Sequence, residues 1–136
     1  MTPAEIERVR ASWREVGTAA VVERFYATLF AAEPAVESLF LGEPSSLRAK
    51  FDETLSAIVE GLDDPVGTGR RVRAFGERHA GYGVLPRHYG LVEEALIGAL
   101  GETLGDGFDG ATERAWRKAY RALAEAMMDA ALDAVP

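Results

Sequence analysis

The sequence predicts an all-α domain. Apolar residues recur with the helical period through nearly every segment, and no segment alternates for long with the strand period. The apolar content of 48% and charged content of 27% are those of an ordinary globular protein. With 136 residues, no internal repeat and no linker, residues 1–136 form one domain able to bury a substantial core.

The elements follow in order. "TPAE" opens the first helix: Thr2 caps, Pro3 suits the first turn and Glu5 completes a capping box. Ile6, Val9, Trp13 and Val16 then share a face, and Gly17 interrupts. The second helix presents Val22, Phe25, Tyr26, Leu29 and Phe30 as a broad, largely aromatic face. Glu33-Pro34 restarts the chain in a short helical piece ending at Leu39-Phe40, and "LGEPSS" reads as a loop. Ser45 or Ser46 is expected to cap the third long helix, whose inward face is Leu47, Phe51, Thr54, Leu55, Ile58 and Leu62. "GLDDPVGTG" breaks it. A helix of about ten residues then leads to His79. After "GYGVLP", Tyr89, Val92, Leu96, Ala99 and Leu100 mark a long helix ending at Gly105. "GDGFDGAT" is a loop, and the last helix carries Trp116, Tyr120, Leu123 and Met127. Helices of such unequal length, joined by irregular loops, suit steep crossings better than a plain four-helix bundle. Steep crossings leave room for a slot between helices.

Composition removes several function classes. A net charge of −7 argues against nucleic acid, because binding phosphate backbones requires a cationic field. The clusters "GRRVR" and "RAWRKAYR" are interrupted at helical spacing and read as solvated faces. The absence of cysteine excludes disulfides, zinc-thiolate sites, iron–sulfur clusters and thiol catalysis. "MTPAEIERVRASW" is not a signal peptide, and no apolar run approaches a membrane span. A cytoplasmic protein is expected.

Both histidines, His79 and His88, lie in "FGERHAGYGVLPRHY", on either side of one helix–helix corner. His79 falls on the face of Phe75, one turn earlier, and Val72, two turns earlier, so its imidazole is expected to face the core. Taken alone, that pattern describes a partly buried histidine bonded to a backbone carbonyl. A metal held by protein groups alone is poorly supported, since no carboxylate is spaced to join both histidines. Haem is different: it brings its own equatorial ligands and needs one imidazole and a flat apolar slot.

At these residues the chain resembles the globin family, in particular single-domain bacterial haemoglobins and the haem domain of flavohaemoglobins. "FYATLFAAEPAVESLF" resembles the family's second helix and following corner, "ERHAGYGVLPRHYGLVEEAL" its proximal histidine and next helix, and "LGDGF…AWRKAYRALAEAM" its terminal helix. The resemblance implies a globin fold of about seven or eight helices around one b-type haem. It puts His79 at the proximal iron ligand and Phe40 at the corner phenylalanine that stacks on haem. Tyr26 falls on the distal tyrosine that hydrogen-bonds ligand, Val84 on the apolar residue of the proximal face, and Tyr89 on the tyrosine beneath the proximal histidine. Val72 and Phe75 would help pack the proximal side. Phe25, Phe51 and Thr54 would line or border the distal side.

Two positions depart from the pattern. Lys50 stands where the family usually has His or Gln, with Thr54 one turn later. Lys50 either reaches water and pairs with a haem propionate, the preferred reading, or turns inward as a ligand donor or a neutral-amine iron ligand. Ala131 stands where the flavohaemoglobin group has a glutamate behind the proximal pair, with Asp129 on a different face. That argues against strong electron push and peroxidase-like activation.

The implied function is reversible binding of a diatomic gas, O₂ first, with NO or CO also possible ligands. The enzymatic alternative is NO dioxygenation. It leaves iron(III), and with no Gly-rich nucleotide loop before Pro136, re-reduction is expected from a separate flavin reductase. A third reading is a haem-free sensor or interaction module, which an aligned His79 disfavours. Either a monomer or a homodimer is compatible with the chain.

Overall fold

The structure is a computed structural model. It describes residues 1–39, 44–81 and 86–134, with side chains at those positions except 18, 38, 39, 44–47, 65, 75–81, 86 and 131–134. Six α-helices account for most of them: α1 (Pro3–Glu15), α2 (Thr18–Ala32), α3 (Pro44–Glu60), α4 (Pro65–Gly81), α5 (Pro86–Leu104) and α6 (Gly110–Ala134). Short 3₁₀ helices at Pro34–Leu39 and Gly105–Gly107 complete the set, and no strand occurs among the described residues. The expected all-α fold is therefore observed, with six α-helices and two short 3₁₀ helices among the described residues where about seven or eight helices were expected.

Local chemistry accounts for the helix ends. Thr2 Oγ1 accepts from Glu5 N at 3.1 Å while Glu5 Oε1 accepts from Thr2 N at 2.9 Å, so the expected capping box is formed. A salt bridge from Lys118 at 2.6 Å adds to it, and together these bonds lower the Glu5 carboxyl to a pKa of about 2. Two expectations are corrected. Helix α3 begins at Pro44, so Ser45 and Ser46 stand inside its first turn rather than ahead of it. Proline favours that position because its φ is preset and its missing N–H would have no helical acceptor. Helix α4 is also longer than about ten residues, running 17 from Pro65 through the glycines of "VGTG". Asp64 makes that start: its carboxylate accepts from Gly67 N at 3.2 Å and its carbonyl from Thr68 N at 3.0 Å. A side chain at Gly67 would collide with this carboxylate. Asp109 caps α6 in the same manner, accepting from Thr112 N at 2.8 Å.

Packing centres on two helix pairs, α2 with α5 and α4 with α6, while α1 packs against both α6 and α3. The core contains Val9, Phe25, Leu29, Val59, Leu96, Leu100 and Trp116, each at most 2% exposed. Two indoles tie α1 in place. Trp13 Nε1 donates to Ser56 Oγ of α3 at 3.0 Å, and Trp116 Nε1 of α6 donates to Ser12 Oγ at 2.8 Å. The rings meet edge to face with centroids 5.9 Å apart. Arg10 spans from α1 to the C-terminus of α3, donating to the carbonyls of Val59 and Glu60 and pairing with Asp63 at 2.9 Å. A cation there complements the negative end of the helix dipole.

Ser12→Ala tests the α1–α6 tie. It deletes the acceptor of a buried indole N–H, which should cost about 1–3 kcal/mol in urea denaturation with little change in m-value. A loss below about 0.5 kcal/mol, the range of ordinary surface changes, would mean that another acceptor replaces the serine.

Candidate functional site

Helix α2 places Phe25 and Tyr26 in the core at 1% and 6% exposure. Phe51 of α3 stacks on Phe25 with centroids 4.5 Å apart and meets Tyr26 edge-on at 5.8 Å. Phe25 and Phe30 also flank Tyr26, at 5.1 and 5.6 Å. The phenol thus sits in an aromatic wall built by two helices. Burial raises its pKa to about 12, the nearby charge of Arg48 acting in the opposite direction. At neutral pH Tyr26 keeps its proton and remains a donor.

Along α3, Lys50 is exposed and Thr54, one turn further, is half-buried. The aromatic wall therefore reaches α3 at Phe51, while Lys50 lies on the solvent side. On α4, Val72 is buried at 3% exposure, and His79 follows two turns later within the same helix. The side chains of Phe75 and His79, and the whole of Phe40 and Val84, lie outside the described residues. The side chain of Ala131 does too, whereas Asp129 is exposed.

Tyr89 is half-buried near the start of α5, and burial raises its phenol pKa. Its backbone carbonyl accepts from Tyr120 Oη of α6 at 2.6 Å. One turn further, Glu93 is 8% exposed and bonded to Arg117 at 2.6 Å and to Arg121 at 3.0 and 3.1 Å. Burial opposes ionisation of this carboxyl, but the bonds from Arg121 and Arg117 outweigh it and lower the pKa. A buried carboxylate would be costly alone; paired with Arg117 and Arg121, Glu93 ties α5 to α6.

Sequence reasoning placed Tyr120 on the apolar face of the last helix without its partner, and did not identify Glu93 or Arg48. The spacing of Arg117, Tyr120 and Arg121 does put them on adjoining parts of one helix surface. It carries no information about which helix that surface meets.

The described residues fit a haem. They offer a protonated phenol in apolar aromatic surroundings, a buried Val72 on the helix that holds His79, and a cation, Lys50, exposed on the neighbouring α3. With no thiolate in the chain, imidazole is the natural axial donor. A separate apolar cleft of about 10 Å³, lined by Val9, Leu55, Val59, Leu96 and Trp116 among others, is far too small for a porphyrin. No helix of the described residues is long and apolar enough to cross a membrane.

A flavohemoprotein of Deinococcus radiodurans is 32% identical over 90 residues, and one of Xylella fastidiosa is 30% identical over 89. Each match takes in 63% of this chain but only 22% of the relative, so the chain spans about a fifth of the length of these proteins. Among solved structures, an engineered carbene transferase from Rhodothermus marinus, described as a nitric oxide dioxygenase, superimposes with a TM-score of 0.87. It is 29% identical, and the match covers 98% of this chain and 94% of that one. The sequence profile of the globin family matches residues 23–127. Both the helical architecture and this match over most of its length show that the chain belongs to the globin family.

Proposed function

We propose that the protein holds one b-type haem through His79 and binds a diatomic gas reversibly, O₂ being the principal ligand. The observation that carries this reading is Tyr26, a buried phenol kept protonated in an aromatic wall. When bound, haem would supply an iron(II) centre able to take up a gas. Tyr26 donates a hydrogen bond to a ligand that has acquired partial negative charge. Phe25 and Phe51 keep water from that donor, and Val72 packs the side of His79. Phe40 and Val84 complete the two faces in this reading, and Tyr89 stands beneath His79. Thr54, half-buried one turn after Lys50, adds a small polar group at the distal border.

The absorption spectrum of the purified protein tests the reading. A Soret band that shifts on reduction and again on adding CO is expected. Protein that takes up no haem on reconstitution would refute it.

NO dioxygenation is the second reading, favoured by the flavohemoprotein relatives and by the neighbour described as a nitric oxide dioxygenase. It uses the same residues and adds an external electron source, a flavin reductase. Nitrate formation from NO and O₂ in the presence of such a reductase distinguishes the two.

Lys50 is proposed to pair with a propionate at the mouth of the slot, in keeping with its exposure. Lys50→Ala should then speed haem loss modestly, by about two- to fivefold, the effect of a partly solvated ion pair. Ferric spectra of the wild type and the variant should match each other at every pH from neutral to alkaline. A low-spin, pH-dependent spectrum present only in the wild type would instead make Lys50 an iron ligand.

A further inference from the structure

Helix α4 is a basic element in an acidic protein. It carries Arg70, Arg71, Arg73 and Arg78 against the single acid Glu77, a net +3. Since the whole chain is −7, the remainder carries −10. Arg70, Arg71 and Arg73 are exposed, while Val72 between them is buried. The arginines therefore hold the outer surface of a helix whose other side enters the core.

The ion pairing of Arg70 and Arg71 differs from that of most cations on α1 and α6. On α1, Arg8, Arg10 and Arg14 each pair with a carboxylate, as do Arg117, Lys118 and Arg121 of α6. Among the described residues, Arg70 and Arg71 have no carboxylate within ion-pair distance. No described carboxylate pairs with them, so their field attracts an acidic macromolecule to this surface of an otherwise acidic chain. The same helix continues to His79, eight residues beyond Arg71, a rise of about 12 Å.

We infer that the surface of α4 carrying Arg70 and Arg71 is a docking surface for a small acidic electron-carrier protein. The inference rests on the haem reading above, because it is the haem iron that needs the electron. Loss of an electron from iron(II) leaves iron(III), and restoring it takes one electron. The reduced carrier gives up that electron and is oxidised by one; iron(III) becomes iron(II), and no proton or leaving group moves. Charge complementarity selects an acidic carrier and orients it on the helix that holds the proximal ligand.

The test is titration of the haem-loaded protein with an acidic [2Fe–2S] ferredoxin at about 20 mM and about 200 mM salt, which spans the range where screening sets in. Affinity should fall about tenfold or more at the higher salt. Arg70→Glu/Arg71→Glu should weaken low-salt binding, and slow reduction of ferric protein by the ferredoxin, by about tenfold. Its haem spectrum and thermal midpoint should match the wild type. Arg70→Gln/Arg71→Gln should show a smaller loss in the same direction and decides the matter if the charge reversal does not fold.

Binding that ignores salt, or variants that bind as the wild type does, would overturn the inference. So would wild-type protein that ignores ferredoxin but adheres to phosphatidylglycerol vesicles through these arginines, which makes the surface lipid-facing. Failure of the haem reading shows separately, as wild-type protein without a haem spectrum. The titration repeated on haem-free protein still measures the charged surface.

Discussion

Replacing His79 with alanine should abolish tight haem binding, whereas replacing His88 should not. The chain has only these two imidazoles and no thiolate, so an axial ligand of the kind haem takes from globins has few sources. His79 lies on α4 two turns after the buried Val72, while His88 is itself buried, at 8% exposure, near the start of α5. Loss of a direct ligand should exceed the roughly 10–100-fold effect typical of groups that only support one. Transfer of haem to an excess of apomyoglobin measures this, with His79→Ala releasing it more than a hundredfold faster than the wild type. Free imidazole added to His79→Gly should restore part of the spectrum by occupying the vacated position. His88→Ala should lose some thermal stability but keep an unchanged Soret band. Equal retention of haem by both alanine variants would mean that neither imidazole is the ligand and that the proximal assignment is wrong.

Tyr26→Phe should raise the O₂ dissociation rate about tenfold to a hundredfold while altering CO dissociation much less. A hydrogen bond to a charged acceptor contributes on the order of 1.5–3 kcal/mol, which corresponds to that range. Bound O₂ carries more negative charge than bound CO, so removing a donor discriminates between them. The substitution is nearly isosteric, and the rings of Phe25, Phe30 and Phe51 remain to pack against phenylalanine. The fold should survive, making ligand kinetics interpretable. Stopped-flow displacement of O₂ and CO gives both rates, and equal changes in the two would remove the hydrogen bond from the account.

Much of the fold was legible in the chain because its signals are local. Thr2, Pro3 and Glu5 lie within one turn of each other and complete a cap with no help from elsewhere. Val22, Phe25, Tyr26 and Leu29 mark a buried face because helical spacing alone puts them together. Tyr26 was recognisable as a candidate for the same reason, supported by the resemblance of the flanking residues. The start of α4 was not, since glycines in "VGTG" look like a break until Asp64 is seen to cap the turn.

By itself, then, the sequence determined the all-α class and the buried faces of the helices, and it nominated residues for a haem. Only the tertiary structure decided that Ser12 and Ser56 answer the two indoles, that Tyr120 holds the carbonyl of Tyr89, and that Glu93 meets Arg117 and Arg121. It also set Phe51 against Phe25 while leaving Lys50 in solvent. Periodicity reports the direction of a side chain from its own helix axis. Which helix lies in that direction depends on crossing angles and loop paths fixed by the packing of the whole chain.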